Sequence, residues 1–568
     1  MGQFAGSWHG RQKFWMDGGD AAQGCEDENA MHRGTCSLPE KTCWRFQGFR
    51  YNFRNHSGRI PDSAGGISSR CHSLIFPAVH LQLMMADLLL FFVLLVYAAG
   101  MLFIFLFSLT QLDILIQFLV RKNRESKQLR QPESDFPAVT IQLPVYNEKY
   151  VVRRLLDSVA ALDYPKDKFE IQILDDSSDE TSALIDDWLA MKSVGLDVKV
   201  IRRSVREGFK AGALQEGLKQ SRGSLIAIFD ADFIPPVDFL KRIVNWFSDL
   251  KVGAVQTRWG HLNERENFLT RLQAFGLDAH FTIEQQGRYV SGAMLNFNGS
   301  AGVWRRECIL NSGGWSSDTL TEDLDLSFRA QIKGWKIIYD QSVVCPGELP
   351  ANIYSVISQQ GRWNKGGAET ARKLTAALWR SDVGFRSKIH GTFQLAASSV
   401  FPMLFFSSMC SLVLFWTGVN EPIERIAGSS MLFRKIEWYG SYAFLGFLSL
   451  MLVYGVSAFK NKQPFWWLLP SFLIVNMGLS FRHTFAVVRG WFGKKSSFIR
   501  TPKSGGKSDI KNLRLAERPS GLAEGILACV FLMTGYFGLM WGQMIFSLLH
   551  TMMGIGFLLV AVFLFRDR

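Results

Sequence analysis

Charge is scarce in this chain. Only 20% of its 568 residues are charged, against roughly 25% in soluble domains. The two commonest phosphate-binding signatures are missing. No strand is followed by GxGxxG and no GxxxxGK[ST] occurs, which excludes a dinucleotide-binding crossover and a P-loop. The net charge of +13 comes without zinc-finger spacing, a basic zipper or an RNA-binding aromatic motif, so nucleic acid is not expected as a partner. The eight cysteines never form CxxC. Cys25, Cys36, Cys43 and Cys71 could pair only if that end were extracytoplasmic, and Cys308 and Cys345 stand alone, so no zinc site is expected. The first long apolar run begins at Leu88, too late for a secretory signal peptide.

What the chain has instead is apolar length. Leu88 to Thr110 holds no charge and is long enough to span the ~30 Å core of a bilayer. Further apolar blocks lie near Leu395–Trp416, Tyr439–Phe459, Phe465–Leu479, Gly521–Trp541 and Met544–Phe565. The basic residues crowd beside these blocks, in Arg121–Arg130 and Arg489–Arg514. Both runs are expected to be cytoplasmic under the positive-inside bias and to meet anionic lipid. An even number of crossings must then separate them, yet three apolar blocks intervene. The third holds Pro470 and a polar Ser-Phe-Arg-His-Thr run, so part of it is expected to be interfacial or re-entrant. The domain reading is a disordered region over 1–72, a transmembrane region over 73–120, a cytoplasmic domain over 121–387, and transmembrane and interfacial helices over 388–568.

Between Phe136 and about Ala377 the pattern becomes strand–helix alternation. "AVTIQLPVYNE" alternates apolar residues; "YVVRRLLDSVAAL" places them on one helical face; "FEIQILDDSSD", "DVKVIRR", "FKAGALQEGLKQ" and "SLIAIFDAD" continue the series. The fold class expected is α/β, a mostly parallel sheet covered on both faces. Ligands of such sheets sit beyond the carboxyl ends of the strands. Asp175 and Asp176 end one strand there, and Asp230 and Asp232 another. One strand-end aspartate is ordinarily a helix cap; two acidic pairs in one sheet suit a divalent metal shared with substrate phosphates. Lys210 opens a helix, where its ammonium and the free N–H groups can meet a diphosphate. Leu320, Leu324, Phe328 and Ile332 mark one helical face, which puts Glu322 and Asp323 together at its start. A carboxylate in that place can act as a general base. The Gly-rich segment "ISQQGRWNKGG" does not look like a core helix.

Taken in order, "PVYNE", "DDSSDET", "GFKAGAL", "FDADF", "TEDLDLSFRAQIKGW" and "QQGRW" resemble the processive family 2 glycosyltransferases. The cellulose-synthase-like polymerases, with plant glucomannan (mannan) synthases and bacterial β-glucan synthases among them, are the similar group. The resemblance covers Phe136 to about Lys373 motif by motif. It implies a GT-A type nucleotide-sugar transferase domain set between transmembrane helices. On it, Pro144, Tyr146 and Glu148 frame the nucleobase, and Asp175 or Asp176 recognises it. Asp230 and Asp232 form the DxD that holds Mg²⁺ or Mn²⁺ and the donor, with Asp232 the direct ligand. Lys210 lies beside the diphosphate, and Asp323, next to Glu322, is the catalytic base. "FNGSAGVWRR" lines the acceptor end. Gln359, Arg362 and Trp363 make up QxxRW: an amide for a hydroxyl, a fork for the diphosphate, and an aromatic platform for the acceptor's terminal sugar. Phe498, Thr501 and Lys503, near the start of a loop over 490–518, are similar to a gating loop, although Arg500 stands where valine is expected.

The function expected is inverting transfer from UDP-glucose or GDP-mannose to a growing β-linked glucan or mannan, with export of the polymer. The setting is a bacterial plasma membrane or a Golgi membrane, with the catalytic domain cytoplasmic. The partners are a nucleotide sugar, a polysaccharide or lipid acceptor, and membrane lipids. The competing expectations are a non-processive glycolipid transferase, a scaffold on an inactive transferase fold, and a transporter without chemistry.

Overall fold

The computed structural model describes residues 68–121, 136–417, 430–493 and 520–567. Residues 1–67 therefore lie outside the described residues, as do Phe498, Thr501 and Lys503 of the expected gating loop. After a long helix α1 (Ser68–Val120) the chain builds a seven-stranded sheet: β1 (Val139–Val145), β2 (Phe169–Asp175), β3 (Val198–Ile201), β4 (Leu225–Ile228), β5 (Val252–His261), β6 (Gly302–Arg305) and β7 (Lys336–Gly347). The order is β3-β2-β1-β4-β6-β5-β7. β1 pairs in parallel with β2 and β4, β2 with β3, and β5 with β7, while β6 runs antiparallel between β4 and β5. This is the α/β class expected, with one reversed strand that periodicity did not announce.

Both faces are covered. On one side α2 (Val152–Ala160), α3 (Thr181–Lys192) and, further along the chain, α5 (Phe239–Val244) pack Leu155, Ile185 and Phe239 against Ile141 and Leu143 of β1. On the other, α4 (Phe209–Gln220) and, after α6 (Phe268–Ala279) and α7 (Gln286–Ser291), the helices α8 (Arg306–Asn311) and α9 (Glu322–Ile332) pack Leu214, Ile309 and Leu326 against Ile226 and Ile228 of β4. All of these side chains are buried, and each contributes about 1.5–3 kcal/mol of transfer free energy. The period-2 alternation of the strands thus serves two apolar layers, and it directs the loops after β1, β2 and β4 to one edge.

The segment "ISQQGRWNKGG" lies in the middle of α10 (Ile353–Arg380), which corrects the expectation. Asn352 caps the helix by accepting the Ser355 N–H at 2.9 Å. Glycine inside a helix costs about 1 kcal/mol. Here it permits contact: a Cβ at Gly366 would lie 2.6 Å from the Thr321 methyl.

The remaining helices are α11 (Phe385–Leu395), α12 (Val400–Trp416), α13 (Ser430–Lys460), α14 (Phe465–Trp491), α15 (Leu522–Met540) and α16 (Met544–Arg566). Among the described residues five segments are long and apolar enough to cross a membrane: Leu88–Val120, Ala397–Trp416, Phe465–Trp491, Leu522–Met540 and Met544–Arg566. One of these five does not run through the bundle. The far end is marked by Trp416 of α12, which meets Phe537 and Trp541 at the end of α15. α14 touches the other end twice. Its start packs Leu468 and Leu469 with Val560 and Leu564 near the end of α16. Its last residue, Trp491, donates to Ser399 before α12 at 3.1 Å, and between them Arg482 grips Glu524 in the first turn of α15. α14 therefore lies across the domain-facing end of the bundle. It runs unbroken through Pro470, so the re-entrant alternative fails.

Where α14 crosses α16, a Cβ at Gly478 would collide with the Gly556 carbonyl. Gly478→Val should lower the stability of the detergent-solubilised protein by on the order of 1–3 kcal/mol. Gly525→Ala, inside α15 where nothing lies within 4 Å, should not lower it and can raise it by up to about 1 kcal/mol. Equal unfolding midpoints for the two variants would exclude this contact as a determinant of the bundle.

Candidate active site

The loops at the carboxyl edge of the sheet, the first turn of α9 and the middle of α10 enclose one open cleft with about 1340 Å³ of empty space. Pro144, Tyr146, Glu148, Asp176, Lys210, Asp230, Asp232, Glu322, Asp323, Gln359, Arg362 and Trp363 all line it. Asp175 does not. It is buried, accepts from Ser182 Oγ at 2.7 Å, Arg202 Nε at 2.9 Å and the Ser177 N–H at 3.0 Å, and ties β2 to α3. Burial raises its pKa, but the bonds from Ser182, Arg202 and Ser177 outweigh this, so the carboxyl sits below its ordinary value.

At one end of the cleft Arg206 lies over the Tyr146 ring, 3.4 Å from its centre, with its Nε 3.8 Å from Asp176. Arg203 grips the same carboxylate, with Nε at 2.9 Å from Oδ1. Asn147, at φ 56, accepts the Ser178 N–H at 2.8 Å and locks the loop after β1 to the loop after β2. The product is an aromatic ring with a guanidinium stacked over one face and an acid beside it.

The centre depends on Lys210, at the first turn of α4. Its Nζ is 2.6 Å from Asp230 Oδ1 and 3.8 Å from Glu322 Oε1, and it donates to the Gly299 carbonyl at 2.9 Å. Gly299 has φ 82, and a Cβ there would lie 2.9 Å from Asp323 Oδ2; only glycine fits between that carboxylate and the lysine. Burial would lower the Lys210 pKa, yet the carboxylates of Asp230, Glu322 and Asp323 raise it. Asp323 is pushed up to about 7, by burial first and then by the Glu322 charge. Glu322 is also raised, chiefly by burial. Asp232 accepts the Glu348 N–H at 3.1 Å, and Glu348 pairs with Arg154 at 2.8 Å.

The acid turn is braced from the helix bundle. Glu369 of α10 accepts the Leu320 N–H at 2.9 Å, and Thr370 bonds Thr321 at 3.1 Å. The next acid along, Asp325, belongs to this scaffold: it is fully buried between Arg329 and Lys373, each at 2.7 Å. Trp363, on α10, lines the cleft and keeps 38% of its surface exposed. Arg206, Trp259 and Glu348 also line the cleft and were not foreseen, whereas Asn298 comes from the stretch expected at the acceptor end. Arg206 stood among three arginines in "RRSVRE" with nothing in the sequence to separate them, and Glu348 follows a strand whose end the sequence did not mark.

Comparison with known proteins supports the resemblance drawn from the motifs. Residues 137–366 match the family described as glycosyltransferase like family 2. Glucomannan 4-beta-mannosyltransferase 9 of Arabidopsis thaliana is 40% identical over 267 residues, 45% of this chain and 50% of its own length. Glucomannan 4-beta-mannosyltransferase 1 of Cyamopsis tetragonoloba is 38% identical over 278 residues, 47% and 53% of the two chains. The chain thus spans about half the length of the relatives it matches. A mannosyltransferase from Pyrobaculum calidifontis, solved in complex with GDP-Man and Mn2+, overlaps 65% of this chain and 100% of its own at 20% identity and a TM-score of 0.44.

The Asp175 and Asp176 carboxylates should separate on substitution. Asp175→Asn should cost on the order of 1–3 kcal/mol of stability at neutral pH. Because its folded pKa is depressed below 3.8, that contribution is present above the unfolded value and is lost as pH falls through the folded one. Denaturant midpoints for the parent and the variant should therefore converge toward acid pH. A gap that stays constant below pH 3.8 would show that the carboxylate's charge is not what stabilises this turn.

Proposed function

We propose that this chain is an inverting hexosyltransferase held in a membrane by its flanking helices. It takes a sugar from a nucleotide sugar, adds it to the end of a β-linked polysaccharide, and passes the polymer out through the helix bundle. The observation that carries this reading is the meeting of Lys210, the Asp230–Asp232 pair, Asp323 and the Gln359–Arg362–Trp363 set in one cleft at the sheet's carboxyl edge. α10 forms both the wall of that cleft and part of the bundle's end.

In this reading the base packs against the stacked Tyr146–Arg206 pair, with Asp176 at its edge and Pro144 and Glu148 beside it. The acceptor's terminal sugar rests on Trp363, and Gln359 takes one of its hydroxyls. Asp323 removes the proton of the attacking hydroxyl as its oxygen bonds in line to the anomeric carbon, and the bond to the diphosphate oxygen breaks. A buried carboxyl raised to about 7 is matched to that task near neutral pH. Lys210 and Arg362 stabilise the departing diphosphate.

The electrostatics of the cleft call for a cation. Glu148, Asp176, Asp230, Asp232, Glu322, Asp323 and Glu348 line it, seven carboxyls against the three bases Arg206, Lys210 and Arg362. An anionic diphosphate entering alone would meet net repulsion. Among the described residues no cluster of three or more potential ligands exists. Two carboxylates suit an Mg²⁺ or Mn²⁺ that completes its shell with phosphate oxygens and water. Asp230 and Asp232 would hold the ion, which supplies positive charge to the diphosphate when bound.

The position of α14 supports a cytoplasmic domain. With α14 lying across the bundle's end, α12 and α13, whose shorter apolar stretch is Leu445–Lys460, would be the two crossings between the basic runs, an even number that leaves both on one side. The chain leaves α14 beside Lys365, where a Cβ at Gly490 would lie 2.6 Å from the Lys365 carbonyl. That starting point favours a gating role for Phe498, Thr501 and Lys503. Likeness to glucomannan 4-beta-mannosyltransferases makes a mannosyl donor the first to test.

Membranes bearing the chain should convert radiolabelled GDP-mannose or UDP-glucose into a polymer cut by linkage-specific hydrolases. A single sugar on extractable lipid would replace this reading with glycolipid synthesis. Asp323→Asn should slow transfer by about 10²–10⁴-fold with donor binding within a few-fold; full activity would remove Asp323 as the base. In the parent protein kcat/KM should fall on the acid side with a midpoint between 3.8 and about 7, since bound metal can only lower the free value, and the limb should vanish in the variant. Chelation should abolish transfer and added Mn²⁺ or Mg²⁺ restore it, an outcome that transfer in the chelator would refute.

A further inference from the structure

A chain of wholly or partly buried polar side chains beside the cleft has a direction. The Arg288 guanidinium, 4% exposed, donates to Gln394 Oε1 at 3.1 Å. Gln394 Nε2 donates to Asn296 Oδ1 at 2.8 Å, and Asn296 Nδ2 donates to Asn298 Oδ1 at 2.6 Å. Amide orientations are ordinarily ambiguous, but arginine can only donate. Gln394 must therefore turn its oxygen to Arg288 and its nitrogen to Asn296, and each amide forces the next. His280 Nε2 stands 3.4 Å from the same Asn298 oxygen, on a π-helical turn (His280–Gln285), with Nδ1 3.0 Å from Glu284. Asn298 is left with its nitrogen facing away from the relay. That Nδ2 is buried and has no partner among the described residues, and Asn298 lines the cleft.

The backbone carrying this amide is fixed. Asn298 N–H donates to Gln256 Oε1 at 2.8 Å, Phe297 N–H to Ser327 Oγ at 2.8 Å, and the Asn296 carbonyl accepts Gln285 Nε2 at 3.0 Å. A preorganised, unpaired donor is costly unless a ligand atom completes it. The next residue is Gly299, whose absent Cβ leaves room for Asp323 Oδ2 and whose carbonyl holds Lys210. The amide thus stands one residue from the backbone that touches the proposed base.

We propose that Arg288, Gln394, Asn296 and Asn298 form a directional hydrogen-bond relay that presents the Asn298 amide N–H to a hydroxyl oxygen of the acceptor sugar. The inference rests on the transferase reading. It selects the acceptor because Asp323 works on the acceptor's hydroxyl, while the phosphates have Lys210 and Arg362. Trp259 and Trp363, in the same cleft, supply apolar faces for a sugar ring. Asn298 is the residue that touches substrate, and the other three are positioning residues.

Two substitutions of nearly unchanged volume test the direction. Asn298→Asp replaces the donor by an acceptor. Gln394→Glu lies outside the cleft and keeps its bond to Arg288, but it can no longer donate to Asn296, so the polarity of every amide downstream reverses. Full-length protein in membranes is assayed with a short β-linked manno- or gluco-oligosaccharide, following transfer to the oligosaccharide and, without it, donor hydrolysis by water. Both variants should raise the apparent KM for the oligosaccharide about tenfold, and Gln394→Glu, outside the cleft, should leave donor KM and hydrolysis within twofold of the parent. Gln394→Met, which merely breaks the relay, should raise it less than Gln394→Glu. A structural role for Gln394 predicts the opposite order, since glutamate preserves the Arg288 contact. Thermal stabilisation by the nucleoside diphosphate confirms that each variant is folded. An oligosaccharide KM unchanged in Asn298→Asp, a parallel loss of hydrolysis and transfer in Gln394→Glu, or Met worse than Glu would overturn the relay. Absence of any transfer by the parent would defeat the transferase reading, and this inference with it.

Discussion

One ammonium group sets the terms for the whole site. Lys210 holds Asp230 at 2.6 Å and Glu322 at 3.8 Å, with Asp323 within electrostatic reach. Without a cation among them, three carboxyls this close would repel each other and take up protons. The sheet delivers one of them from the end of β4, and α9 delivers two from its first turn. Their approach obliges Gly299 to be a glycine, because any side chain would occupy the space between lysine and acid. Burial first, and then the neighbouring Glu322 charge, hold the Asp323 carboxyl up at about 7 instead of at an ordinary surface value.

The helix bundle is bound to this arrangement through α10. Gly366 brings the helix against Thr321, and Glu369 and Thr370 hold the turn that starts α9. On its other side α10 packs Ile353, Tyr354 and Val356 against α14 and α16, and His483 of α14 reaches Gln360 at 3.0 Å. A displacement of the bundle's end therefore acts on the acid turn through a helix rather than a loop. That is a rigid connection between the place where a sugar would be added and the place where a polymer would leave.

Much of this was visible in the residues alone. Period-2 strands ending in acids, a lysine opening a helix and paired acids opening another placed the cleft correctly, because these are local features whose geometry follows from the element they end. The failures have equally definite causes. Asp175 and Asp176 are neighbours on a strand, so they face opposite ways, and only their partners reveal which one sees the cleft. Gly366 of "ISQQGRWNKGG" looked like a helix breaker because the surface that needs it, at Thr321, is 45 residues earlier in sequence. The Arg288–Gln394 bond joins residues 106 apart, and no window reveals it. Hydropathy cannot say that α14 lies crosswise, since a helix buried against other apolar helices and one buried in lipid have the same composition.

The crosswise seat of α14 also fixes an order of assembly. When α14 leaves the ribosome, α6, α10, α12 and α13 exist, but the part of its seat made by α15 and α16 does not. Val560 and Leu564, which cover its start, and Glu524, which holds Arg482, are made later. Until then a 27-residue apolar helix has every reason to enter the bilayer like its neighbours. Its final place becomes the more stable one only when the last hairpin arrives. The floor of the bundle is therefore finished only after α15 and α16 are made, since they supply Glu524, Val560 and Leu564 to it.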